Sequence, residues 1–139
     1  MREVIRARGH EHVAATHQST FEVTTDDWLT PAGDCIVGID ADRAPTDFDE
    51  DFVAACRDPE ATITLTLTLD DGESHHRVRA RGHPDLTFES ERSAVVRTST
   101  YVDDRTVAVG ADAAAADLDR DLVAALTDGA DLTLTLTVE

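Results

Sequence analysis

The clearest pattern along the chain is an alternation of leucine and threonine that occurs twice. Leu65, Leu67 and Leu69 fall on one side of an extended backbone and Thr64, Thr66 and Thr68 on the other, and Leu132–Val138 repeats the pattern. A period of two belongs to a strand with one buried face. The same period, with β-branched enrichment, predicts strands over roughly 3–9, 19–25, 35–40 and 61–70, then 74–82, 94–102, 106–111 and 130–138. Asp70-Asp71-Gly72 reads as a hairpin turn between the fourth and fifth strands. Two segments change to helical spacing, with Phe48, Phe52 and Cys56 in one stripe and Leu118, Leu122 and Leu126 in the other. Asp47 is expected to cap the first helix, with Glu50 completing a capping box, and Asp117 the second. Pro59 and Gly129 mark the exits. Thr24–Leu29 reads as one helical turn, followed by a tight turn at Pro31-Ala32-Gly33-Asp34.

The second half of the chain echoes the first. Arg6-Ala7-Arg8-Gly9-His10 returns as Arg79-Ala80-Arg81-Gly82-His83 at an offset of 73. Val37–Asp42 matches a stretch starting at Val109 at 72, Asp47–Ala55 matches Asp117–Ala125 at 70, and Ile63–Leu69 matches Leu132–Val138 at 69. Self-similarity in a constant order points to a duplicated unit. The expectation is one domain over 1–139, made of units 1–72 and 73–139. Each unit runs strand, strand, strand, helix, strand. Eight strands and two helices imply an α+β fold with a pseudo-twofold axis, either a mixed sheet or, by slight preference, a barrel-like arrangement.

Charge changes the picture once it is divided by residue type. The formal net charge is -17, from 20 Asp and 9 Glu against 12 basic residues, all of them arginine; lysine is absent. Such acidity with few aromatics is also a mark of disorder, but the regular apolar runs exclude that. Short carboxylates without lysine fit a halophilic archaeal proteome, where the charge reports solvent rather than partner. At about 1 M salt exposed charges are screened beyond about 3 Å. No apolar run reaches the ~18 residues of a membrane span and the N-terminus lacks a signal-peptide pattern. Two cysteines without metal-type spacing point to a reducing compartment. A cytoplasmic protein is expected.

The segments Gly9-His10 through His17, Thr20-Phe21-Glu22-Val23-Thr24, Gly33-Asp34-Cys35-Ile36 and Arg81-Gly82-His83-Pro84 resemble an archaeal family known as domain of unknown function 371. The resemblance extends over nearly the whole chain and implies no activity. It implies lysine near Asp42-Arg43-Ala44 and near Ala113-Ala114, where this chain has arginine and alanine.

Three residue types are candidates for chemistry. His10 and His83 each follow Arg-Gly at a strand end, where glycine permits close backbone approach. If a pseudo-twofold axis joins these ends, His10, His83, His17 and Cys35 form a set of nitrogen and sulfur ligands of the kind zinc takes. The bland alternative is that each histidine hydrogen-bonds its own turn. His75 and His76 lack counterparts and read as incidental. Arginine is the second candidate, because Arg2, Arg6 and Arg8, then Arg77, Arg79 and Arg81, hold half of the chain's positive charge. With equivalent strands side by side, Arg8 and Arg81 would hold phosphate or carboxylate beside the histidines. Single-stranded RNA, a nucleotide or a phosphorylated metabolite would fit, although no aromatic interleaves for base stacking. The alternative is pairing with nearby carboxylates. Cys56 reads as core, and Cys35 has no adjacent base. These features support a binding domain for an anionic ligand at His10, His17, His83, Arg8 and Arg81. The alternatives are a small, metal-dependent or metal-free enzyme using the same histidines, and a structural or assembly protein associating through its threonine-rich faces or an edge strand.

Overall fold

The computed structural model describes residues 1–70 and 74–139. In chain order the elements are β1 (Arg2–Arg8), β2 (Thr20–Thr24), β3 (Ile36–Gly38), α1 (Glu50–Cys56), β4 (Thr62–Leu69), β5 (His75–Arg81), β6 (Ser93–Arg97), β7 (Thr106–Ala108), α2 (Arg120–Thr127) and β8 (Asp131–Val138). The turn expected at Asp70-Asp71-Gly72 lies outside the described residues.

The strands form two four-stranded sheets in an α+β fold. One is wholly antiparallel with order β1-β8-β4-β5; the other is mixed, β3-β2-β6-β7, with β2 and β6 antiparallel at its centre and β3 and β7 parallel at its edges. The barrel-like alternative is not what forms. Among the described residues no ladder joins the sheet edges: they meet at isolated bridges, Arg8 with Ile39 and Arg81 with Val109, and at the backbone bonds of Asp42 N to Arg6 O and Asp112 N to Arg79 O. Asp40 and Gly110 come next, both at φ 59°, and this left-handed step turns the chain away before a ladder can extend.

The leucine–threonine alternation explains how the layers stack. Along β4 and β8 every leucine is buried, and Thr64, Thr66, Thr68, Thr133, Thr135 and Thr137 are half-buried on the outer face. The leucines join Phe21, Val23 and Val96 of the mixed sheet, with Phe52, Leu122 and Leu126 of the helices, in one buried cluster. Close contact between the layers is visible at Gly38, where an added Cβ would sit 3.1 Å from Leu132 and 3.2 Å from Ala7.

Both helices start two residues later than expected. Their N-caps are Asp49 and Asp119, which accept from Asp51 N and from Asp121 N at 2.8 Å. Asp47 and Asp117 instead close 3-10 turns, each accepting the backbone N–H three residues back, Ala44 and Ala114, at 2.9 Å. Extended Phe48 and Leu118 separate turn from helix, so the apolar stripe begins before the helix does. The helical turn expected at Thr24–Leu29 does not form, because Thr25 N bonds Arg92 O and Asp26 O accepts Asp40 N. Strand β6 ends at Arg97 rather than near 102, where Thr98 N leaves for Ser19 O. The match between Val37–Asp42 and the second half holds at an offset of 70, not 72. Asp42 and Asp112 are the equivalent residues, accepting Arg6 N and Arg79 N at 2.9 and 3.0 Å.

Candidate functional site

Strand order decides the fate of the histidine site. β1 ends at Arg8 opposite Asp131, the first residue of β8, and this end of β8 lies beside the end of β4, Leu132 opposite Leu69. β5 ends at Arg81 opposite Thr62, at the start of β4. His10 and His83 therefore leave the sheet at diagonally opposite corners, with β8 and β4 between their strands. The expected convergence on one shared site is corrected by this topology.

At each corner the Arg-Gly-His segment does the same local work. Gly9 and Gly82 lie against the C-terminal carbonyls of α2 and α1, where a Cβ would overlap Leu126 O in one case and Cys56 O in the other. His10 Nδ1 accepts His12 N and His83 Nδ1 accepts Asp85 N, each at 3.0 Å. His17 Nδ1 accepts Ser19 N and Thr20 N at 3.2 and 3.1 Å. In the corresponding place Ser90 Oγ accepts Arg92 N and Ser93 N at 3.2 and 3.1 Å. His17 thus does what a hydroxyl does in the other half.

His76, set aside in the sequence, has a structural task. Its Nδ1 accepts Asp119 N at 3.3 Å at the start of α2, as Glu3 Oε2 accepts Asp49 N at the start of α1. Only the equivalence of residues 3 and 76, 73 apart, signals this.

Of the candidate zinc ligands, His17 and Cys35 share a neighbourhood through Thr20. Its Oγ1 lies 3.2 Å from His17 Nδ1 and near the Cys35 thiol, which donates to Glu22 Oε1 at 3.8 Å. Among the described residues no three His, Cys, Asp or Glu side chains gather as a metal site requires. Burial and the Glu22 carboxylate, 3.8 Å from Sγ, push the Cys35 thiol up to about 11. Burial, then Glu3, pushes Cys56 to about 12. Both therefore stay protonated at neutral pH and are poor nucleophiles. In native protein at pH 8, alkylation of both should be slower than after denaturation, as read by mass spectrometry. Because these thiols keep their protons when folded, stability should fall as pH rises above the ordinary thiol value of 9.0 toward 11.

A polar cluster covers the outer side of the mixed sheet. Arg97 pairs with Asp103 at 2.9 Å, Arg105 reaches Asp103 at 3.3 Å and buried Glu22 at 3.9 Å, and Thr106 Oγ1 donates to Asp103. Burial raises the Asp103 carboxyl, but the Arg105 N–H, the Thr106 hydroxyl and Arg97 outweigh it and hold the group below the ordinary carboxylate range. This network ties β7 to β6.

The arginines occupy a different face. Pairing registers place four rows across the outside of the antiparallel sheet: Arg2–Thr137–Thr64–Arg79, Val4–Thr135–Thr66–Arg77, Arg6–Thr133–Thr68–His75 and, at one end, Thr62–Arg81. Arg8 closes the other end opposite Asp131. The strands carrying arginine are not side by side, contrary to the expectation from sequence; they are the two edges of one sheet. Between them lies a floor of threonine hydroxyls. Thr62, Thr64, Thr66, Thr137, Arg77 and Arg79 line an open hollow of about 420 Å³, with Glu139 as the carboxylate in its lining. A second hollow, about 500 Å³, lies beside Arg6 and Arg8 with Asp40, Asp42, Asp70 and Asp131 at its rim.

The engagement of the guanidinium groups separates this face from the rest of the molecule. Away from it, Arg43, Arg92, Arg97 and Arg105 pair with carboxylates, and Arg57 and Arg120 donate to backbone carbonyls. On the face only Arg8 has an ion pair among the described residues, with Asp40 at 3.0 Å.

No helix of the described chain is long and apolar enough to cross a membrane. An uncharacterized protein of Methanocaldococcus jannaschii is 37% identical over 132 residues, covering 95% of this chain and 96% of that protein. The family described as Domain of unknown function (DUF371) matches residues 5–139. Matched along all but its first four residues, and with an archaeal relative aligned over nearly the whole of both chains, the chain belongs to the DUF371 family.

Proposed function

We propose that the protein is a binding domain for an anionic ligand, which lies on the outer face of the antiparallel sheet between its two arginine edges. One observation carries this. In a chain of net charge -17, the five guanidinium groups of Arg2, Arg6, Arg77, Arg79 and Arg81 have no ion pair among the described residues, yet they share one face. Such groups hold phosphate or carboxylate with two parallel N–H donors. Arg8 and Arg81 remain in the site. His10, His17 and His83 leave the site, because each holds the backbone of its own turn. Each half supplies one edge, which suits descent of the two halves from a duplicated unit. The acidic, lysine-free remainder fits a halophilic cytoplasm, where salt screens its repulsion of an anion.

Calorimetry with inorganic tripolyphosphate, in the salt that keeps the protein folded, tests the proposal. Binding is expected, and Arg77→Gln/Arg79→Gln should weaken it about 10-fold or more, from the ~1.5–3 kcal/mol of a charge-assisted hydrogen bond. Arg57→Gln, off the face, should leave it unchanged. Absence of binding, or equal losses in both variants, overturns the proposal.

A further inference from the structure

We infer that the ligand of this face is double-stranded RNA, held across its minor groove; this rests on the proposal that the face binds anions. The first argument is spacing. Arg2, Arg6 and Arg8 are separated from Arg77, Arg79 and Arg81 by three interstrand steps, about 14 Å. Arg2–Arg8 runs about 20 Å along its edge. Two separated rails of guanidinium match two phosphate strands on either side of a groove. A single phosphate group would engage one rail and leave the other empty.

The second argument is what lies between the rails. The floor is six half-buried threonines in three cross-strand pairs, Thr64–Thr137, Thr66–Thr135 and Thr68–Thr133. Their hydroxyls both donate and accept, as a ribose 2′-hydroxyl does. They are short, and among the described residues no helix or arm rises from this floor. A flat surface cannot enter the narrow minor groove of B-form DNA, about 6 Å wide. The wide, shallow minor groove of an A-form duplex displays its 2′-hydroxyls to such a surface.

The third argument excludes the single strand. Sheets that bind unpaired RNA stack its bases on aromatic side chains. Here all four phenylalanines are buried, and the exposed Trp28 and Tyr101 lie in the loops after β2 and β6 of the other sheet. A duplex keeps its bases stacked internally and asks only for phosphate and sugar contacts.

Fluorescence anisotropy with a short labelled RNA duplex, its separated strands and the DNA duplex of the same sequence decides the matter, with tripolyphosphate binding measured in parallel. The RNA duplex is expected to bind at least about 10-fold tighter than the other nucleic acids. Arg6→Gln and Arg77→Gln, on opposite rails, should each weaken it and flatten the dependence of log K on log salt by about one. Thr66→Val/Thr135→Val keeps the β-branched shape and should erase the preference for RNA over DNA while preserving the salt slope. Equal affinity for the single strands or for DNA overturns the inference. Tripolyphosphate binding without duplex binding removes the duplex and leaves the anion site; failure of both removes both.

Discussion

Gly82→Ala is expected to leave the chain unable to hold its native fold. A Cβ there would overlap the carbonyl oxygens of Cys56 and Asp58 and lie 3.1 Å from the Cys56 carbonyl carbon. All three are backbone atoms at the end of α1, so no side chain can swing away. The loop cannot lift either, because Gly82 N bonds Ala61 O and His83 N bonds Cys56 O, both at 3.1 Å. Gly9→Ala meets the same obstacle at Leu126, with Gly9 N held on Ala130 O at 2.8 Å. Positive φ is confined among the described glycines to Gly110 and Gly129, so the requirement at Gly9 and Gly82 is space. Overpacking against fixed backbone costs about 3 kcal/mol or more, a large part of the ~5–15 kcal/mol that holds a domain folded. Gly129→Ala is the control: nothing lies within 4 Å of its Cβ, and only the left-handed conformation, φ 89°, opposes it, at about 1–2 kcal/mol. Denaturant midpoints in high salt measure all three. A wild-type midpoint for Gly82→Ala would show that the helix end and the loop are not in contact.

This gives the Arg-Gly-His segment a packing reason to recur in both halves of the sequence. Repetition made the segment visible, and the glycine was rightly associated with close approach. What it approaches is a helix terminus about 25 or 115 residues away, which no local pattern encodes. The alternating strands were legible because one wet face and one dry face impose a period of two on Leu65–Leu69 and Leu132–Val138. The helix starts were misplaced by two because Asp47 and Asp117 satisfy capping chemistry as well as Asp49 and Asp119, and each of the four does cap something. Strand order was illegible: β1 pairs with β8, at the far end of the chain, and that pairing separates His10 from His83. The asymmetry between His17 and Ser90 was in the sequence from the start. A position that accepts serine in one half is a poor candidate for an indispensable imidazole in the other.

The second large loss is expected from Arg43→Ala. Arg43 joins the first 3-10 turn to β1: Nη1 donates to Glu3 Oε1 at 2.8 Å and Val4 O at 3.0 Å, Nη2 donates to Asp47 O at 2.9 Å, and the guanidinium stands 5.3 Å over the Phe48 ring. Glu3 is only 7% exposed, and its other oxygen already accepts Asp49 N. Alanine would strand a buried carboxylate and uncover the Val4 carbonyl, at about 2–4 kcal/mol. Arg43→Lys, the residue type the family resemblance implies nearby, keeps the charge but not the planar fork, and should cost about 1 kcal/mol. The second half of the molecule reaches the same end without charge. There His76 stands in the place of Glu3, Ala113 in the place of Arg43, and the imidazole alone accepts Asp119 N. A neutral acceptor needs no guanidinium beside it. Glu3→His/Arg43→Ala should therefore recover most of the stability that Arg43→Ala loses, a non-additivity that a double-mutant cycle in high salt would read directly. If the two substitutions simply add, the ion pair is not what joins this edge to the helix start, and the contact of Arg43 with Phe48 and Asp47 O carries it instead.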